Sequence, residues 1–124
     1  MLTNSLNEYK LNYIKNENYI LREALVDSDG DTIWDVKNPK NNHSFLIRSS
    51  HDGCLYITFF PKNSISNKCA FNGLHKVCEI LLERSVRPTI KISYTNKALI
   101  NLCYSVGFRK DRKRKYLYYL KELK

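Results

Sequence analysis

The stretch NKALINLCYSVGFRK, Asn96 to Lys110, leaves its part of the chain little conformational choice. Ala98, Leu99, Leu102 and Val106 recur at helical spacing, Gly107 supplies the left-handed stop that a helix C-terminus prefers, and Phe108 follows as its hydrophobic anchor. The spacing predicts a helix that starts after Asn96 and ends at Gly107. Immediately before it, PTIKISY (Pro88 to Tyr94) alternates apolar and polar side chains, is rich in β-branched residues and begins with proline, the pattern of a strand. The tyrosine-rich end KYLYYLKEL reads as a further strand. Strand, Asn, helix, Gly-Phe, strand is the order of an α+β chain.

Upstream, SFLIRSS and CLYITFF flank His51-Asp52-Gly53, and Asp-Gly between apolar and β-branched runs predicts a hairpin with a two-residue turn. DSDGD (Asp27 to Asp31) is a turn by composition, and TIWDV (Thr32 to Val36) reads as a strand. From Phe71 to Arg84, Leu74, Val77, Cys78, Leu81 and Leu82 form an apolar stripe at i, i+3, i+4, i+7 and i+8, which predicts a long amphipathic helix. In the first twenty-five residues, Leu6, Tyr9, Tyr13, Ile14, Ile20, Leu21 and Leu25 fall near helical spacing, predicting one or two short amphipathic helices. The expected order is helices, three antiparallel strands, a long helix, a strand, a short helix and a last strand.

With 124 residues the expectation is one domain that buries its own core without disulfides or metals. No apolar run reaches the ~20 residues of a membrane span, and MLTNSLNEYK lacks a signal-peptide core. The four cysteines (Cys54, Cys69, Cys78, Cys103) then read as reduced thiols in a cytoplasmic protein. The net charge of +9 is unevenly placed: residues 1 to 83 hold nine Lys/Arg against ten Asp/Glu, whereas residues 84 to 124 hold twelve against two. RKDRKRK, with Arg109, Lys110, Arg112, Lys113, Arg114 and Lys115, is the densest part. It reads either as a solvated hairpin tip whose charge blocks edge pairing, or as a patch facing the phosphates of nucleic acid or a nucleotide cofactor, or an acidic protein.

The strand, Asn96, Ala/Leu helix, Gly107-Phe108 and tyrosine-bearing strand resemble the C-terminal half of the GNAT superfamily of N-acetyltransferases, a match covering about the last third of the chain. The resemblance implies a single α+β domain, a mixed and mostly antiparallel sheet flanked by helices on both faces. It implies acetyl-CoA as cofactor and transfer of an acyl group to an amine whose identity the sequence leaves open, as it does the oligomeric state. In that family the long helix follows a glycine-bearing loop that holds the pyrophosphate with backbone N–H groups and the helix dipole. KCAFNG (Lys68 to Gly73) falls at that place, so Lys68, Asn72 and Gly73 become cofactor candidates, with Phe71 where the family has its first glycine. Asn96 matches the asparagine near the pantetheine arm, and equally suits an N-cap. The family's thiolate-protonating tyrosine lies four residues before the glycine, which is Cys103 here, with Tyr104 about 100° further round the helix. Backbone N–H groups of the strand from Leu55 to Phe60 would stabilise the thioester oxyanion. LYITFF and TIKISY carry no carboxylate or histidine as general base, leaving water relayed by Ser93 or Tyr94. The rival reading is a catalytically degenerate GNAT-like module that binds nucleic acid or a protein through its basic C-terminal third.

Three other patterns carry less. An EF-hand starting at Asp27 needs Gly at 32 and Glu at 38, where the chain has Thr32 and Asn38. His51-x-x-Cys54 and His75-x-x-Cys78 could ligate zinc, but a strand separates them by roughly 20 Å. SFLIRSS resembles the arginine-bearing strand of SH2 domains over a few residues only, and Arg48 reads as a solvent-facing strand residue.

Overall fold

A computed structural model describes residues 13–15, 18–26, 30–40, 44–50, 52–59 and 67–123. Among the described residues eight strands form one sheet: β1 (Tyr13–Lys15), β2 (Ile20–Val26), β3 (Thr32–Lys37), β4 (Ser44–Ser49), β5 (Cys54–Phe59), β6 (Thr89–Lys91), β7 (Phe108–Lys110) and β8 (Leu117–Leu120), in the order β1-β2-β3-β4-β5-β6-β8-β7. Two helices complete the described chain, α1 (Asn67–Glu83) after β5 and α2 (Lys97–Val106) after β6. Neighbouring strands are antiparallel except β5 and β6, which run parallel because α1 returns the chain between them. The fold is α+β with a mixed, mostly antiparallel sheet.

Burial alternates with period two along β3, where Thr32, Trp34 and Val36 point inward, and the register carries that face across the sheet through Ile47 opposite Trp34 and Phe45 opposite Val36. At the other end Tyr118 and Leu120 on β8 stand opposite Ile90 and Phe108. Both described helices lie on this one face. Gly73 of α1 sits against Val36, and Tyr104 of α2 meets Tyr118 edge-on at 5.8 Å. The opposite face presents Arg22, Arg48, Tyr56 and Tyr119, all exposed, and carries no helix among the described residues.

The predicted N-terminal helices are corrected over residues 13–15 and 20–26. Residues 13–15 and 20–26 are strands paired as Tyr13↔Arg22 to Lys15↔Ile20, and residues 1–12 lie outside the described residues. Leu21 and Glu23 are fully buried and Arg22 is exposed, an alternation of period two that a count of apolar residues alone mistakes for helical spacing. Glu23 decides the matter from afar, because Arg84 at the end of α1 pairs with its carboxylate at 2.9 and 3.3 Å.

The β4–β5 hairpin forms as predicted, with Phe45↔Phe59 to Ser49↔Leu55 in register. Its connection closes from Ser50 to Cys54, one residue longer than the expected two-residue turn, with Gly53 at φ 88°. That is the three-residue solution, in which the glycine takes the left-handed position. At the far end, residues 108 to 120 make two short strands, β7 and β8, where a single strand was expected. The basic cluster forms the turn between them.

Candidate functional site

β5 and β6 are in register only at Cys54↔Thr89 and Leu55↔Ile90. Beyond Leu55, β5 stays paired with β4 as far as Phe59 but has no register partner in β6. The two parallel strands therefore part toward their carboxyl ends. Crevices at carboxyl ends of parallel strands are where open α/β sheets place ligands, since helix N-termini converge there.

A groove of about 540 Å³ runs between the two helices, from the first turn of α1 along the length of α2, lined by Lys68, Phe71, Ala98, Asn101, Leu102 and Ser105. Its chemistry is graded. Phe71, Ala98 and Leu102 are apolar, Lys68 is an exposed cation, and the Ser105 hydroxyl donates to the Asn101 carbonyl at 2.9 Å. Phe71 is steadied by the His75 ring, 5.6 Å away. The first-turn N–H groups of a helix have no intrahelical acceptor, and no acid occupies that turn of α1. Such a groove suits a long ligand with an apolar arm and an anionic end.

Each expected site residue has a definite place. Lys68 to Gly73 are helix rather than a loop before it, because α1 begins at Asn67. Lys68 lines the groove, whereas the amides of Asn72 and Gly73 fall beyond the first turn, where helical N–H groups are committed to carbonyls four residues back. Gly73 has a packing reason: a Cβ there would come within 2.5 Å of Val36 Cγ1, so the glycine lets α1 seat on β3. Asn96 caps α2, its Oδ1 accepting from Leu99 N at 3.2 Å and its carbonyl from Ile100 N at 3.1 Å. Capping needs only local geometry, so this role is readable from the sequence.

Cys103 is corrected as an acid for a groove ligand. Its side chain is 0% exposed, and burial pushes its pKa up to about 12. Tyr104 is on the surface, its ring held at the edge of Tyr118 and covered by the Arg109 guanidinium at 5.6 Å. All four cysteines are thiols. Cys69 donates to the Lys37 carbonyl at 3.6 Å and is pushed up to about 11 by burial; Cys78 is raised further by burial and by Cys103. For a thiol whose folded pKa is raised, stability is full below the ordinary value near 9 and is lost as pH rises toward the folded value. Two results follow. A thiol reagent at pH 8 should label half-buried Cys54 in the native protein and the other three only on unfolding, and urea midpoints should fall from pH 9 to 11. Rapid native labelling of Cys103 would contradict the burial.

The cations Arg112, Lys113, Arg114 and Lys115 are exposed at the turn between β7 and β8. Asp111 builds this turn, accepting from the backbone N–H groups of Lys113 (2.8 Å) and Arg114 (3.0 Å) and from the Arg114 side chain (3.3 Å). Those donors hold its carboxyl below the usual range. Arg109 instead folds back, donating to the Phe108 and Tyr104 carbonyls, so it belongs to the helix end more than to the cationic tip. Because the Tyr116 carbonyl accepts from Ile92 N at 2.7 Å, this turn stands beside the carboxyl end of β6. Sequence reading missed what lies there: Tyr94 and Tyr116, far apart in the chain, stack at 6.1 Å.

Arg48, expected to face solvent, is exposed and its Nε donates to buried Asp31 at 3.0 Å. Asp27 to Asp29 and His51 lie outside the described residues. No helix among the described residues is long and apolar enough to cross a membrane. Comparison of the chain with protein-family models, with curated proteins and with solved structures finds no match to any of them.

Proposed function

We propose that the protein is an N-acyltransferase that binds an acyl-CoA, acetyl-CoA in the simplest case, in the groove between α1 and α2 and passes the acyl group to an amine. The observation that carries the reading is a groove between α1 and α2 with a cation at the start of α1, in a sheet whose parallel β5 and β6 are in register over two residues only. A pantetheine arm is long and narrow, and its methylene and dimethyl groups suit Phe71, Ala98 and Leu102. The pyrophosphate would meet Lys68 and the first-turn amides of α1. In the split, β5 backbone beyond Leu55 has no β6 partner in register, so its N–H groups on that side are the donors for a thioester oxyanion. Tyr104 is the remaining phenol on α2 to protonate the departing thiolate, after rotation of its ring away from Arg109. Ser93, hydrogen-bonded to Thr95 at 2.9 Å, is the hydroxyl nearest in sequence to the end of β6 that can orient a water toward the amine. The acceptor is left as an amine of unassigned identity.

Acetyl-CoA at one hundred times its dissociation constant should stabilise the fold by about 2.7 kcal/mol, seen as a rise in melting temperature. Lys68→Ala should weaken that binding about tenfold, and Tyr104→Phe should cut thiol release at least about tenfold with affinity unchanged. A silent calorimeter and an unmoved melting curve at millimolar acetyl-CoA would sink the proposal.

A further inference from the structure

Tyr94 and Tyr116 are the two most exposed large hydrophobic side chains described, at 69% and 46% of their full surface. Their rings lie nearly parallel, 28° apart, yet cover little of each other from water. The backbone is arranged to keep them there. Tyr116 has φ 67°, a left-handed conformation that glycine or asparagine would adopt at less strain than a bulky aromatic. Strain held at one exposed residue points to a function for its side chain.

The pair divides two clefts. One, about 370 Å³, is lined by Lys91, Ile92, Ser93 and both tyrosines; the other, about 290 Å³, by Lys110, Lys115, Tyr118 and the same two rings. A flat aromatic platform thus has a lysine on one side and two on the other, and no carboxylate among the described residues lines either cleft. The nearest acid in sequence, Asp111, is engaged by the amides of its own turn and by Arg114. Arg112 and Lys113 extend the positive field beyond the clefts.

We infer that this face binds single-stranded nucleic acid, with unpaired bases stacking on Tyr94 and Tyr116 and phosphates running past Lys91, Lys110 and Lys115. Exposed rings interleaved with cations are the two elements single-strand binding needs: every base has a π face for the ring, and the backbone charge meets the lysines. A duplex hides its base faces and would use the lysines alone. An acidic polypeptide would satisfy the charge and leave the rings idle. This inference uses none of the groove residues and shares with the acyl-transfer reading only Ser93, which lines one cleft without being assigned a contact to the strand.

The test is fluorescence anisotropy with labelled 12-nucleotide dT and rU strands, a 12-base-pair duplex, poly-glutamate, and coenzyme A as competitor. Both single strands are expected to bind more tightly than the duplex, and poly-glutamate to fail to displace them. Tyr94→Ala should weaken strand binding at least about tenfold. Tyr116→Gly, which removes the ring and suits the left-handed backbone, should do the same with the fold intact by circular dichroism. Lys110→Ala with Lys115→Ala should flatten the salt dependence by roughly 0.7 for each phosphate no longer neutralised. Equal duplex binding, indifference to both tyrosine variants, displacement by poly-glutamate, or no strand binding at low salt would each overturn the inference. Full displacement by coenzyme A would overturn it too, by assigning the platform to the cofactor.

Discussion

Gly107→Ala is expected to destabilise the protein by at least about 3 kcal/mol, lowering the urea midpoint with the slope unchanged. Gly107 ends α2 with φ 130°, its N–H reaching the carbonyls of Cys103 and Tyr104. Side-chain-bearing residues rarely adopt that backbone conformation, and a Cβ placed there would run into the Glu122 carbonyl. The C-terminal segment after β8 crosses directly over the glycine, with Lys121 N–H bonded to its carbonyl at 3.4 Å. Neither partner can yield cheaply, because both clashing groups are held by the backbone. A variant with a wild-type midpoint would show that residues 121 to 123 do not pack over the end of α2.

The second large effect is expected from Arg84→Ala, about 3 kcal/mol or roughly 10 °C in melting temperature. Glu23 has 0% exposure, and the Arg84 guanidinium grips both its oxygens while lying 5.6 Å over the Trp34 ring. Truncating the arginine leaves a buried carboxylate without its guanidinium and uncovers the indole. Replacing Glu23 by Leu in the same chain should restore most of the loss, because a packed apolar side chain carries no charge to desolvate. Equal destabilisation by the single and double variants would mean that Arg84 matters only as cover for Trp34.

These two sites differ in how far they can be read from sequence. Asn96, the apolar spacing of α2, Gly107 and Phe108 act on neighbours within a turn, so the helix, its cap and its stop are legible in the residues themselves. The hairpin around Gly53 is legible for the same reason. Glu23 is not, since its partner is sixty-one residues away. Gly73 reads as a phosphate-facing glycine, and only the approach of Val36 reveals it as a packing glycine within α1. Of the candidate site, Lys68 lines the groove, Asn96 caps, Cys103 is buried, and the stacked Tyr94–Tyr116 pair has no local signal at all.

What the sequence alone determined about this protein is therefore the strand before α2, the helix itself with its cap and stop, the α+β class, and the concentration of cations in the last third. Those properties follow from interactions between residues a few positions apart, or from composition. The tertiary structure decided that residues 13–15 and 20–26 are strands, that both described helices share one face, and that β5 and β6 part after two paired residues. It also decided which cations meet exposed rings, because Ile92 and Tyr116 become neighbours only when β8 pairs with β6. Long-range pairing is chosen by the whole set of inward-facing side chains at once, and a window of neighbouring residues does not contain that information.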